Sequence, residues 1–224
     1  MSTINLGPFG SPLLGESRVC NTFSMPDAAE RTAGFLLLAL AAPVIATSAI
    51  AVAALSRRSP FIAHLRVAQN GKPFWMLKLR TMWPKDEGSG ARRTWIEQVV
   101  ADPEQDGKDP SDPRVNSWFA SFCRRHSIDE LPQLWHVARG EMSLVGPRPL
   151  TRAEIDRYYA EEASELLSVK PGLTGLWQIY GRSAIRFPRR AAMDMELVRG
   201  LSARTYLRIL ARTIPAIVRG NGAW

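Results

Sequence analysis

Cysteine is scarce in this chain: Cys20 and Cys123 are the only two in 224 residues, and neither has a Cys-x-x-Cys neighbour. That excludes a zinc-ribbon site and a disulfide framework, and it suits a reducing compartment. Histidine is scarce too. His64, His126 and His136 are not spaced as a ligand set, which makes them structural or exposed. Internal repeats, collagen-like periodicity and Gln/Asn-rich tracts are absent. So are G-x-x-x-x-G-K-[ST], H-E-x-x-H and G-x-S-x-G, which removes P-loop, zincin and nucleophile-elbow chemistry. A signal peptide is not expected, because the apolar run starts too late and Asp27 and Glu30 stand where a basic region belongs.

What remains is a basic chain, net charge +8, long enough for one domain with an appendage. Such a charge calls for an anionic partner: nucleic acid, an acidic membrane surface or a phosphorylated substrate. Residues 1–29 lack periodicity and read as a flexible tail. Ala33–Leu55 then gives 23 residues without a charge. As a helix they would reach roughly 34 Å, against a bilayer core of about 30 Å. Pro43 should kink that helix, and Arg31, Arg57, Arg58 and Arg66 place positive charge on both flanks. The segment is expected to cross a membrane or to dip in and return, with a buried helix of a soluble core as the alternative.

After the Asn70-Gly71 turn, Phe74–Thr81 alternates as a strand. Lys78 and Arg80 would share its face about 7 Å apart, as a basic solvated edge or as a phosphate contact. Residues 83–113 read as a long loop with one short helix near Trp95–Val100. Thr151 to Glu154 is a capping box opening a helix with Ile155, Tyr158, Tyr159 and Leu166 on its apolar side, ended by Lys170-Pro-Gly172. Gly172, Gly175 and Gly181 surround Trp177-Gln178 in a turn-rich segment ending in Arg182. A last helix, Ser202 to Arg219, carries Arg204, Arg208 and Arg212 as a basic stripe beside an apolar surface. It would lie on an anionic leaflet or turn its Arg face to water.

The chemistry concentrates between Arg124 and Pro149, where Asp129 and Glu130 adjoin among Arg124, Arg125 and Arg148. With Ser127 as N-cap the acids are structural, and Pro132 deletes an intrahelical bond. With Asp129 as N-cap, Pro132 falls in the first turn without cost, and Asp129 sits at the positive end of a helix. An ionised carboxylate there can cap, hold a metal or attack an activated diphosphate. Attack on a phosphate needs positive charge, which a divalent cation, normally Mg²⁺, and arginines would supply. Lys78, Arg80, Arg124, Arg148 and Arg182 are the candidates.

Six motifs stand in order: G-K-P-F-W-M-L-K-L-R-T-M (71–82), D-P-R-V (112–115), R-R-H-S-I-D-E-L-P-Q-L-W (124–135), G-E-M-S-L-V-G-P-R-P (140–149), K-P-G-L-T-G-L-W-Q (170–178) and G-R (181–182). From about residue 30 to 223 the chain resembles the bacterial sugar transferase family of monotopic polyprenyl-phosphate phosphoglycosyl transferases. The resemblance implies transfer of a sugar-1-phosphate from a UDP-sugar to undecaprenyl phosphate with release of UMP, the step that initiates exopolysaccharide, capsule or O-antigen assembly. It implies Asp129 as nucleophile, Glu130 assisting Mg²⁺, and basic roles for Lys78, Arg124 and Arg148. It also implies a re-entrant helix broken near Pro43, with both ends cytoplasmic. Two positions depart from the pattern: Gly34 and Tyr206 stand where many relatives have Asp.

The expected fold is therefore α+β and mainly helical, membrane-associated and monotopic, with a short β element. Its divisions are the tail 1–29, the membrane helix 30–58 and a cytoplasmic catalytic domain 59–224. Expected partners are the UDP-sugar, undecaprenyl phosphate and anionic lipids of the bacterial inner membrane; a homodimer is open, and nucleic acid is not expected. Two rival readings are a membrane-tethered DNA-binding protein and a non-enzymatic scaffold. The first would use residues 127–142 as a helix-turn-helix, but that segment leads with acids where a base-reading helix needs Arg, Asn or Gln.

Overall fold

The computed structural model describes residues 24–83, 95–99, 115, 117–181 and 185–220. The apolar run folds as helix α1, Asp27–Ser56, which begins inside the expected tail and runs through Pro43 instead of breaking there. Proline removes one backbone donor, and that single gap does not end a helix of 30 residues. Just beyond it the Thr47 hydroxyl donates to the Pro43 carbonyl at 2.9 Å. Less exposed residues recur at 30, 34, 38, 41, 45, 48 and 52, so one helical stripe faces the protein. Near its start, α1 joins the cluster containing Leu134, Val137 and Met142. Near its end, Ala49 and Val52 pack with Leu79, Trp83, Ala120 and Cys123. Both ends thus rest on one body, a geometry that a straight span with its ends on opposite sides of a bilayer cannot have. The outer face, including Phe35, Leu36, Leu40 and Ile50, is exposed.

Two small sheets hold the rest. Strand β1, Phe61–Val67, pairs antiparallel with β2, Pro73–Leu79, in the register Ile62 to Lys78 and His64 to Met76. The connection turns at Asn70 and Gly71, both with positive φ, as the Asn-Gly signal predicts. Strand β3, Ile96–Val99, adds parallel to the other edge of β1. The short helix expected here is thus a strand: Arg80 reaches across β1 to Glu97 at 2.5 Å and ties the segment to the sheet.

Helix α2, Trp118–Arg125, leads into a 3-10 turn, Ile128–Gln133, and then helix α3, Leu134–Arg139. Strand β4, Ser143–Val145, pairs parallel with β5, Gly172–Thr174. There an added Cβ on Gly172 would overlap the backbone of Gly146, so the two segments cross in direct backbone contact. Between them the Thr151 capping box forms as expected, opening α4, Arg152–Tyr158. The helix expected to reach Lys170 stops there and resumes only as α5, Ala163–Leu166. Helices α6, Leu176–Tyr180, α7, Phe187–Gly200, and α8, Ala203–Arg219, complete the chain, with Ser202 capping α8. On α8, Leu207, Ile214 and Val218 are exposed beside Arg204 and Arg208, while Arg212 donates to the Tyr180 hydroxyl at 2.7 Å.

Candidate active site

The Asp129-Glu130 pair lies on the 3-10 turn between α2 and α3. Neither expected helix start is observed. Ser127 adopts a left-handed backbone, φ 54°, with no side-chain cap, and Asp129 is the second residue of the turn. The sharp reversal at Ser127 separates α2 from the turn, and the Glu130 amide bonds the Ser127 carbonyl at 3.1 Å. Pro132 is accommodated because the chain is in a tight 3-10 turn there and not in a helix interior. Asp129 is buried, 6% exposed. Beneath it, burial and then the charge of Asp129 push the Cys123 thiol up to about 11, which keeps it neutral and inert.

Lys78 and Arg148, both expected basic residues, reach Glu130. Lys78 Nζ is 2.9 Å from Glu130 Oε1, and Arg148 Nη1 is 3.9 Å from the same oxygen. Arg124 stands in the last turn of α2. Arg80 is directed away: it donates to the Ser59 carbonyl at 2.7 Å and pairs with Glu97, so the structure gives it an architectural contact instead of one with the acids. Arg182 lies outside the described residues.

Three further groups hold these in register, and none was singled out by sequence reasoning. The amide of Leu77, next to Lys78, donates to His136 Nε2 at 3.1 Å. His136 Nδ1 meets Glu141 at 2.6 Å, which sets its proton on Nδ1. Burial lowers the pKa of this imidazole against the pull of Glu141, so it stays a neutral acceptor at the free edge of β2. Trp177 carries Arg148 5.5 Å and Arg190 4.8 Å from its ring centroid. Behind them the Tyr159 hydroxyl donates to Asp194 at 3.0 Å. Asp194 is fully buried, and burial pushes its carboxyl up to about 7 despite the opposing Tyr159 and Arg148.

That shift predicts a pH dependence. Above pH 3.8 the unfolded carboxyl loses a proton that the folded one keeps until about pH 7. Stability therefore falls as pH rises across that window, by up to about 4 kcal/mol, and levels off beyond it. Asp194→Asn should remove this slope. Urea midpoints at pH 5 and pH 8 check it, and parallel profiles for the two proteins would refute the assignment.

Buried polar side-chain atoms without a partner among the described residues are His64 Nδ1, Arg66 Nε, Arg124 Nε, Trp177 Nε1, Gln178 Oε1 and Asp194 Oδ1. Native structures leave few such atoms, and each costs on the order of 1–3 kcal/mol. Here they concentrate on the segments carrying or supporting Lys78, Arg124 and Arg148. Of these, Arg66 Nε and Arg124 Nε are donors whatever the tautomer of His64, as suits a polyanion, while Trp177 lies close enough to Asp194 to act on its carboxyl. No group of three or more His, Cys, Asp and Glu that could hold a metal occurs among the described residues. A caged metal is not built there. Two adjacent carboxylates, Asp129 and Glu130, do fit Mg²⁺, which takes one or two carboxylates and completes its shell with water and substrate phosphates.

Comparison with known proteins adds the lineage. The profile described as bacterial sugar transferase matches residues 23–220. The chain is 38% identical to a UDP-galactose-lipid carrier transferase of Erwinia amylovora over 74% of its own length and 35% of that protein. It is 39% identical to the exopolysaccharide production protein ExoY of Sinorhizobium fredii, over 74% of this chain and 73% of that one. It is 34% identical to a UDP-glucose:undecaprenyl-phosphate glucose-1-phosphate transferase of Caulobacter vibrioides, over 86% and 69%. The chain thus spans about a third of the Erwinia protein and most of the other two.

Proposed function

Because the chain belongs to the bacterial sugar transferase family, we propose that it transfers a sugar-1-phosphate from a UDP-sugar to undecaprenyl phosphate and releases UMP. This is the membrane step that starts an exopolysaccharide, capsule or O-antigen glycan. The observation that carries the reading is the Asp129-Glu130 pair with Lys78 and Arg148 on Glu130, near buried Arg66 and Arg124 nitrogens without a partner among the described residues.

In this mechanism a carboxylate oxygen of Asp129 attacks the sugar-bearing phosphorus. The bond from that phosphorus to the UMP oxygen breaks, UMP leaves with the electron pair, and the sugar phosphate remains on Asp129. A phosphate oxygen of undecaprenyl phosphate then attacks the same phosphorus, returning Asp129 as a carboxylate and forming the diphosphate-linked lipid sugar. Lys78, Arg124 and Arg148 neutralise the phosphoryl oxygens. Glu130, with Asp129, would hold Mg²⁺, whose charge offsets the repulsion between carboxylate and phosphate when it is bound. His136 and Trp177 act through Lys78 and Arg148 as positioning residues.

A lipid acceptor requires a protein at the membrane. One helix among the described residues, α1, is long and apolar enough to cross a bilayer by length and composition. Because both its ends rest on one body, we read it as embedded from one side, with the catalytic domain on the cytoplasmic face of the inner membrane. The exposed apolar and basic faces of α8 suit anionic lipid headgroups. Helix α3, the segment a DNA reader would insert, has its Leu134, His136 and Val137 buried and α1 close against it at Gly34, which counts against a tethered DNA-binding role.

The test is turnover. Detergent-solubilised protein is incubated with undecaprenyl phosphate, Mg²⁺ and a panel of UDP-sugars. UMP release that requires the lipid for multiple turnovers is expected with one of them. A folded sample that releases none with any sugar overturns the reading.

A further inference from the structure

Strand β1 carries two polar side chains that the reaction above leaves unused. In the observed register Ile62, His64 and Arg66 share a face with Phe74, Met76 and Lys78, so His64 and Lys78 are diagonal neighbours on one surface. The end of β1 is tied to the loop of Arg148: the Val67 amide donates to the Leu150 carbonyl at 2.9 Å. Arg66 is held by Glu154 at 2.7 Å, and Glu154 is itself fixed in the Thr151 capping box. The surface between Lys78 and the Arg148 loop is therefore floored by His64 and Arg66.

Both residues have a buried nitrogen without a partner among the described residues, His64 Nδ1 and Arg66 Nε. Burial, with Lys78, Arg66, Arg148 and Arg80 around it, pushes the His64 imidazole down to about 4. The ring is thus neutral near pH 7. With its proton on Nδ1 it offers an N–H to an anion without adding a fifth charge to a crowded cationic surface. A lysine or arginine there would meet the repulsion of its neighbours, and an apolar residue would leave phosphate oxygens unmatched.

We propose that His64 and Arg66 form a donor-binding subsite on β1, hydrogen-bonding the diphosphate oxygens of the nucleotide sugar while Asp129 attacks. This rests on a nucleoside diphosphate sugar being the donor. It extends the anion-binding surface from the loops to the sheet, with His64 touching the substrate and Arg66 supplying charge beside it.

Calorimetry of UDP binding to the full-length chain in detergent with Mg²⁺, in parallel with UMP-release kinetics, tests the subsite. His64→Ala should weaken UDP on the order of tenfold, as expected for losing a hydrogen bond to a charged group. It should raise the KM for the donor similarly, with the KM for undecaprenyl phosphate unchanged. His64→Gln, neutral and able to donate, should recover most of the loss, which a purely structural role does not predict. Equal UDP affinity in wild type and His64→Ala, or equal loss toward donor and lipid, overturns the subsite even where turnover is normal. UDP binding that depends on His64, in a protein that releases no UMP with any sugar, would uphold the subsite and sink the proposed reaction instead.

Discussion

Asp129→Asn is expected to lower UMP release by at least about a thousandfold. The amide matches the carboxylate in size but has no anionic oxygen to attack phosphorus, and a buried position with no change in volume should keep the fold. The decisive measurement is a single turnover without lipid acceptor. The wild type should release about one UMP per protein molecule and retain the sugar phosphate on the chain; Asp129→Asn should do neither. Release by the variant at a tenth of the wild-type level or more would remove Asp129 from the nucleophilic role. Strict dependence of even the first UMP on undecaprenyl phosphate would argue for direct transfer in a ternary complex.

The pair itself was legible because two adjacent acids among arginines are a local feature. The backbone around it was not. Both expected helix starts assumed an α-helix, whereas the left-handed Ser127 and the 3-10 turn are set by how α2 and α3 pack, which local propensity does not encode. Strand β1 was missed although its pattern is in the sequence: Phe61, Ala63, Leu65 and Val67 form one apolar face, and Ile62, His64 and Arg66 form the other. With β1 unseen, His64 looked isolated and Arg66 looked like a flanking charge. Arg80 was out of reach for another reason: its partner Glu97 sits in a strand that had been read as loop or helix. The Thr151 capping box formed as expected, since it depends on four consecutive residues, whereas the two cap readings around Ser127 and Asp129 did not.

Glu30→Ala is expected to destabilise the protein by about 2–4 kcal/mol, because it removes the acceptor of the Leu144 amide and the Tyr206 hydroxyl together, while the Ser143 hydroxyl keeps the Val145 carbonyl. Glu30, in the first turn of α1, accepts from the Tyr206 hydroxyl at 2.5 Å, from the Leu144 amide at 3.0 Å and from the Ser143 hydroxyl. One carboxylate thus joins α1 to β4 and α8, and β4 leads directly to the Gly146-Pro147-Arg148 turn. Tyr206→Phe leaves the other two donors paired and should cost only about 1–2 kcal/mol. In one network the double variant should cost less than the sum. Denaturant midpoints in detergent measure all three; additive losses, or a Glu30→Ala cost below about 1 kcal/mol, would show that this network does not hold α1. The same contacts bear on Gly34 and Tyr206, the two positions where the resemblance leads one to expect Asp. Gly34 lies against α3, where even a Cβ would come within 2.8 Å of the Ala138 nitrogen, so an Asp has no room. At position 206 an Asp would set a second carboxylate beside buried Glu30, and two such groups cannot both stay ionised at low cost. Tyrosine brings a donor instead, and burial, followed by Glu30, holds the Tyr206 phenol protonated. Tyr206 and Glu30 are therefore a matched pair, and Tyr206→Asp should destabilise this chain more than Tyr206→Phe does.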